Sequence, residues 1–358
     1  MCGIVGLISA RKQLENGERI KKGIHLMNDR GNGLGAGYAA YGIYPDFKDY
    51  YAVHIMGSSQ QGLKEAARFI NRHFEVVHNR AIPVWDKIIR DHPFFNLFFV
   101  SPGISAEKRL PGEESDDDYV VSKCMQLNKT IEGAYTCSNG KNLGVFKGVG
   151  TPLDIYDFFR LDEYAAYSWL GHNRFPTNTP GWWGGAHPFN ILEFSIVHNG
   201  EISSYGINRR YLESFGYFCQ LQTDSEAVAY LIDLLIRRHG LSISEATTVL
   251  APPYWKSMER IEDPDQKDLL TFLRTTYEQG MLNGPFAVLT AFEGGMFSLT
   301  DNTKLRPMTA ATHNGYTYFA SEIASLYEME EAVEDIITPR AGQPIIARFE
   351  TETGKAYR

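Results

Sequence analysis

From end to end the chain is punctuated by short apolar runs, each cut off by glycine, proline or a polar or charged residue. The first, 4–8, follows Cys2-Gly3 directly and is rich in β-branched residues, so it reads as a buried strand. Similar strand-like runs stand at 38–44, 94–100, 166–170, 194–197, 286–292, 296–299, 308–312, 316–320 and 344–349. Helical spacing is confined to fewer places. Ile20, Ile24 and Met27 form one set; Leu63, Ala66, Ala67 and Ile70 share a face within 62–74; further helices are expected at 267–279 and 321–332. The clearest helix opens at Thr223-Asp224-Ser225-Glu226, which has capping-box spacing. It continues through Val228, Leu231, Leu234 and Leu235 towards Gly240. Many strands with few covering helices point to layered α+β. With 358 residues, 43% of them hydrophobic, a large core is available, and one elaborated domain over 1–358 accounts for the length.

Charge narrows the partners. Lys plus Arg total 35 against 43 Asp plus Glu, a formal charge of -8, and no basic stripe interrupts the chain. Nucleic acid and anionic membrane reward clustered Lys/Arg, so a small molecule or another protein is the expected partner. Cysteines stand at 2, 124, 137 and 219, none in a CxxC pair, so zinc and iron–sulfur sites lack their usual spacing. Scattered thiols in a chain of this size read as reduced and cytosolic. The opening MCGIVGLISARK has no positive lead and no small-residue cleavage site, and no stretch nears the ~18 apolar residues of a membrane span. A cytoplasmic protein is expected.

The stretch 58–150 differs in texture, carries no recognisable chemistry and reads as an insertion. Its acidic run 113–118 is expected to be a solvated loop, because consecutive acids cannot all face one ion. The glycine run 31–37 lacks the Lys-Ser/Thr ending of a phosphate loop and is taken as a flexible turn.

Four places could carry chemistry. Methionine is normally trimmed before a small residue, which would leave Cys2 with a free α-amine. The unperturbed pKa of such an amine, about 7.7–8.0, lets it take the thiol's proton without a separate histidine. Alone, Met-Cys-Gly is better explained as the start of a strand. Asn199-Gly200 follows an apolar run and could offer two donors to an oxyanion; alone it is a common turn. Arg174, at another strand end and followed by 175–185, a loop rich in Pro, Gly and Trp, could grip a carboxylate bidentately. Asp224 could pair with an ammonium group, or merely cap its helix. Arg174 and Asp224 together suit the charged end of an α-amino acid.

In this order the motifs resemble the class II, N-terminal nucleophile glutamine amidotransferases, and among them the glutaminase domain of glutamate synthase. The likeness runs through Cys2-Gly3-Ile4-Val5-Gly6, Arg174-Phe175-Pro176-Thr177-Asn178-Thr179, Ala186-His187-Pro188-Phe189 and His198-Asn199-Gly200-Glu201-Ile202. Thr223-Asp224-Ser225-Glu226, Gly284-Pro285-Phe286-Ala287, Leu305-Arg306-Pro307 and Ala320-Ser321-Glu322 complete it. One departure is Asn28-Asp29-Arg30-Gly31, where relatives often carry His-Arg-Gly. The resemblance implies a four-layer α/β/β/α sandwich, Cys2 as nucleophile, and Asn199 with Gly200 as oxyanion hole. It implies Arg174 and Asp224 as ligands of the glutamine carboxylate and ammonium, with Thr177 and Asn178 lining the same pocket. The Leu305 and Ala320 motifs would be framework. No cofactor is expected in this chain. The implied partner is a separate flavin-dependent, glutamate synthase-like subunit (or an N-methylglutamate type) holding FMN and iron–sulfur and receiving the ammonia. Two rival functions stay open: an N-terminal cysteine acylase, which would not need the Arg174–Asp224 clamp, and a non-catalytic subunit, which would not need Cys2, Asn199 and Gly200 intact.

Overall fold

Strand alternation decides the architecture. The computed structural model describes residues 1–103, 109–176 and 181–350. In the strand Gly3–Ser9, Val5 and Leu7 pack to one side while Ile4 and Ile8 pack to the other, and all are buried. A strand buried on both faces needs a layer on each, which is why its sequence is continuously apolar rather than alternating.

Among the described residues this strand lies mid-way in a seven-stranded antiparallel sheet. Its order is Glu334–Ile337, Thr309–His313, Tyr316–Ala320, Gly3–Ser9, Ser168–Asn173, Ala36–Tyr41 and Leu143–Gly148. A second, five-stranded antiparallel sheet runs Phe189–Ile191, Phe194–Gly200, Phe286–Phe292, Gly295–Thr300 and Ile345–Arg348. The sheets meet through Ile4, Ile8 and Leu170 of the first and Val197, Leu289 and Met296 of the second. Gly6 marks a close approach: a Cβ there would lie 2.6 Å from Leu289 Cδ2 and 2.7 Å from Met296 Sδ.

Helices cover the outer faces. Ile20 and Ile24 of Glu18–Leu26, Ile155 and Tyr156 of Pro152–Phe158, and Leu326 and Met329 of Ile323–Met329 pack with Val5, Leu7 and Tyr38. On the other side, Tyr205–Ser214, Asp224–Asp233 and Ile243–Leu250 lay Leu212, Leu231 and Val249 against Phe194, Ile196 and Val288. The layers therefore follow the order α/β/β/α.

A third sheet, of four strands, stands beside this sandwich. Its order is Phe74–Ala81, Phe94–Pro102, Tyr51–Gly57 and Ala134–Ser138, and the helices Gln60–His73 and Asp116–Thr130 pack on it. It starts ahead of residue 58, whereas Leu143–Gly148 belongs to the seven-stranded sheet, so the textural break at 58–150 does not coincide with a structural one. Phe98 and Val100 share a core with Phe189 and Phe194, while Leu97 and Phe99 share another with Phe146. The acidic run is not the loop expected. Asp116, Asp117 and Asp118 form the first turn of their helix, where Ser115 and Asp118 close a capping box and negative charge suits the helix dipole. Glu113 turns inward onto Lys123 at 2.7 Å. Among the described residues no helix is long and apolar enough to cross a membrane.

Candidate active site

The central strands of both sheets end at one edge. Pairing of Gly3 with Asn173 sets Cys2 beside Arg174 and Phe175, and the Phe175 N–H donates to Cys2 Sγ at 3.3 Å. Burial raises the thiol's pKa; the Phe175 N–H, the positive chain terminus, Arg174 and Arg30 pull the other way. The N-terminal strand is held by its neighbours: Ser321 Oγ accepts the Ile4 N–H at 3.2 Å, and Ser321 N–H donates to Ile4 O at 3.0 Å. Arg306 Nη1 reaches Met1 Sδ at 3.0 Å. Ser321 of the Ala320 motif thus acts as framework for the strand that carries Cys2, and Arg306 of the Leu305 motif lies beside Met1.

Across the sandwich, the strand Phe194–Gly200 delivers Asn199 and Gly200. Gly200 has φ +144°, and a Cβ on it would sit 1.9 Å from the Pro285 carbonyl oxygen, so no larger residue fits. Val197 faces the inter-sheet layer, and alternation turns Asn199 the same way. Asn199 is buried, and its Nδ2 has no hydrogen-bond partner among the described residues. A buried donor left unmatched costs about 1–3 kcal/mol, a cost that an incoming oxygen atom would relieve.

Arg174 is buried, and its side chain passes over Gly35, where a Cβ would be 2.9 Å from Arg174 Cδ. The glycine run is thus more than a flexible turn: it clears space for this arginine and then enters the strand Ala36–Tyr41. Burial lowers the Arg174 pKa, opposed by the charges of Cys2 and Asp224.

Helix capping falls to Thr223, whose hydroxyl accepts the Ser225 N–H at 3.3 Å. Asp224 is therefore released from that duty. Its Oδ2 accepts the Ile202 N–H at 2.8 Å, and its Oδ1 lies 3.3 Å from the hydroxyls of Thr223 and Ser225. The expected capping box does not close. Glu226 instead accepts the N–H groups of Gln220 at 3.0 Å and Leu221 at 2.8 Å.

Cys2, Arg174, Gly200 and Asp224 line one pocket of about 240 Å³, together with Phe175, His198 and Tyr205. Thr177 and Asn178 lie outside the described residues. Trp182 and Trp183 do not line the pocket; they pack edge-on or tilted against Tyr135, Phe95 and Phe158.

Sequence reasoning passed over three histidines here: His187 and His198 line the pocket, and His172 lies against His187. His172 stacks on His187 with centroids 4.0 Å apart, and His172 Nε2 donates to the His198 carbonyl at 3.0 Å. Ser225 Oγ stands 2.9 Å from His187 Nε2 and 3.0 Å from His198 Nδ1. Burial lowers all three pKa values, that of His172 to about 3, so the rings are neutral. Each histidine sits in a recognised motif or beside one, but only the fold brings them together. Among the described residues no group of His, Cys, Asp and Glu side chains is arranged to hold a metal ion.

The profile of the class II glutamine amidotransferases matches residues 58–346. An uncharacterized protein of Archaeoglobus fulgidus is 45% identical over 98% of this chain and 93% of its own length. The glutamine amidotransferase-like protein GlxB of Rhizobium meliloti is 24% identical over 96% of this chain and 95% of its own. NADH glutamate synthase of Schizosaccharomyces pombe is 31% identical over 36% of this chain and 7% of its own length. With the profile matched over most of its length, on a sandwich whose two sheets end at a cysteine, an arginine and an Asn-Gly pair, the chain belongs to the class II glutamine amidotransferases.

Proposed function

We propose that this chain hydrolyses the side-chain amide of L-glutamine through a thioester on Cys2, once Met1 has been removed. The freed amine takes the thiol proton as Sγ bonds to the amide carbon. The resulting oxyanion is met by the Asn199 side chain and the Gly200 N–H. Collapse breaks the carbon–nitrogen bond, the amine returns its proton to the leaving nitrogen, and ammonia departs. Water, deprotonated by the same amine, then adds to the thioester and releases glutamate and the thiol. Arg174 holds the substrate carboxylate and Asp224 its ammonium, with Thr177 and Asn178 completing that pocket.

The observation that carries this reading is the convergence of Cys2, Arg174, Gly200 and Asp224 on one pocket beside the unmatched amide of Asn199. Ammonia would pass to a separate synthase subunit in the cytoplasm, flavin-dependent and glutamate synthase-like, with FMN and iron–sulfur in that subunit. The likeness to the yeast glutamate synthase over a third of the chain supports that partner.

The test is intact mass before and after incubation with 6-diazo-5-oxo-norleucine, a glutamine-like electrophile. Loss of Met1 and one adduct, absent in Cys2→Ala, is expected. A retained Met1, or a trimmed chain that never reacts, would overturn the assignment of Cys2.

A further inference from the structure

At the other end of both sheets lies a larger cleft, of about 580 Å³. Lys141 and Asn142 precede the strand Leu143–Gly148, Glu193 precedes Phe194–Gly200, and Glu293 follows Phe286–Phe292. These are the strand ends opposite Gly200 and Phe286. At about 3.3 Å per residue, strands of this length set the two openings roughly 20 Å apart. A ligand here would not compete with one at Cys2.

The cleft's charges are unmatched. Glu193 and Glu293 adjoin on one wall, where the Glu293 N–H donates to Glu193 Oε2 at 3.1 Å. Lys12, Lys48 and Lys141 line the same cleft. Among the described residues, none of these five side chains makes an ion pair; Lys12 and Lys141 lie over the rings of Tyr167 and Tyr51 instead. Asp49 also lines the cleft and makes no ion pair among the described residues, whereas the remaining charged groups are partly committed within the protein: Asp117 accepts the Tyr51 hydroxyl at 2.7 Å, and Arg237 pairs with Asp118 and Asp233.

The walls are also held in an uncommon shape. Lys12, Asn142 and Leu192, all lining the cleft, have φ of 54°, 52° and 48°. Asparagine tolerates that region; for leucine it is strained and persists only where the surroundings impose it. Gly140 shows how: a Cβ there would meet the Leu192 carbonyl oxygen at 2.2 Å, so the two turns are seated on each other.

Opposite charges that share a rigid cleft without pairing complement a ligand bearing both signs. We propose that this cleft is a second binding site, for a small zwitterion of the α-amino-acid class, its ammonium towards Glu193 and Glu293 and its carboxylate towards the lysines. Titration calorimetry of the full chain with L-glutamate, glycine and L-lysine as probes tests it. At least one should bind saturably, with an affinity unchanged in Asp224→Ala, which alters only the Cys2 pocket. Both Glu293→Ala and Lys141→Ala should weaken that binding about ten-fold or more, and circular dichroism should confirm that these exposed substitutions leave the fold intact. No saturable binding by any probe, or binding lost only in Asp224→Ala, would overturn the proposal. So would indifference to both cleft substitutions. Weakening by one alone would mean that a simple ion binds, and would equally overturn the zwitterion assignment.

Discussion

Asn199 separates a functional residue from a structural one. A buried side chain that only packs or bonds loses stability when truncated; one held with an unmatched donor does not. Asn199→Ala is therefore expected to lower kcat for glutamine by about 10²–10³-fold while the urea midpoint stays level or rises. A fall in stability of about 2 kcal/mol or more would assign Asn199 to the framework instead. The histidines behave differently. Kept neutral by burial, His172, His187 and His198 refuse the proton that an unfolded chain takes up below its ordinary pKa near 6.5. The fold thus loses stability as pH falls below that value, by about 1.4 kcal/mol per pH unit for each ring that stays neutral. Glu226, raised by burial to about 7, opposes this, because the folded chain gains its proton first on acidification. Glu15 and Glu193, also raised by burial, act as Glu226 does, but His54, lowered to about 3, and His73 and His239, also lowered by burial, join the three rings, so the histidines outweigh the carboxylates. Urea melts at pH 6.5 and 5 should show a falling midpoint; a flat or rising one would contradict the buried neutral rings.

At the scale of elements, the loop 220–222 and the helix Asp224–Asp233 work as a unit. Gln222 lines the pocket with φ 57°, and Glu226 pins the two residues before it. Glu226→Ala removes the acceptor from two backbone donors, each worth about 1–3 kcal/mol if left buried. Steady-state kinetics should then show KM for glutamine raised several-fold with kcat changed less, because the ammonium end of the pocket shifts and the nucleophile does not. An equal fall in kcat with KM unmoved would place the effect at Cys2. The strong helix at 224 was legible because its apolar spacing is regular and its cap is explicit. Thr151-Pro152-Leu153-Asp154 and Ser242 through Glu245 also carry capping-box spacing, and both open helices that a search for longer periodic runs passes over. The strand Phe74–Ala81 was hidden for another reason. It is a sheet edge with most of its residues exposed, so its polar sequence lacks the buried alternation that marks a strand.

At the scale of the whole molecule, the four-stranded sheet is part of the core rather than an appendage. Phe98 and Val100 are buried with Phe189 and Phe194 under the second sheet's helices, and Phe99 is buried with Phe146. Replacing 58–133 by a short linker is expected to abolish cooperative unfolding, read as a broad thermal transition with dye binding to exposed apolar surface. A sharp transition near that of the parent would show that the sandwich closes without this sheet, and would return the segment to the role of an insertion.

Reading the residues alone was enough for a strand-rich layered fold, for the twofold burial of the strand after Cys2, and for the order of the motifs that make up the site. Those properties live in local pattern: period, caps, turns and the residues that follow a strand. What no local pattern carries is which strand ends share an edge. That Cys2 meets Phe175, that Asp224 is spared capping and fixes Ile202, and that His187 and His198 meet at Ser225 with His172 stacked on His187 are consequences of sheet register and of the close approach of the two sheets at Gly6. The same holds for the second cleft, whose unpaired charges are scattered from Lys12 to Glu293 and become neighbours only because two sheets end together there. Side-chain chemistry is encoded residue by residue, whereas its juxtaposition depends on contacts between residues far apart in the chain, which only the folded packing selects.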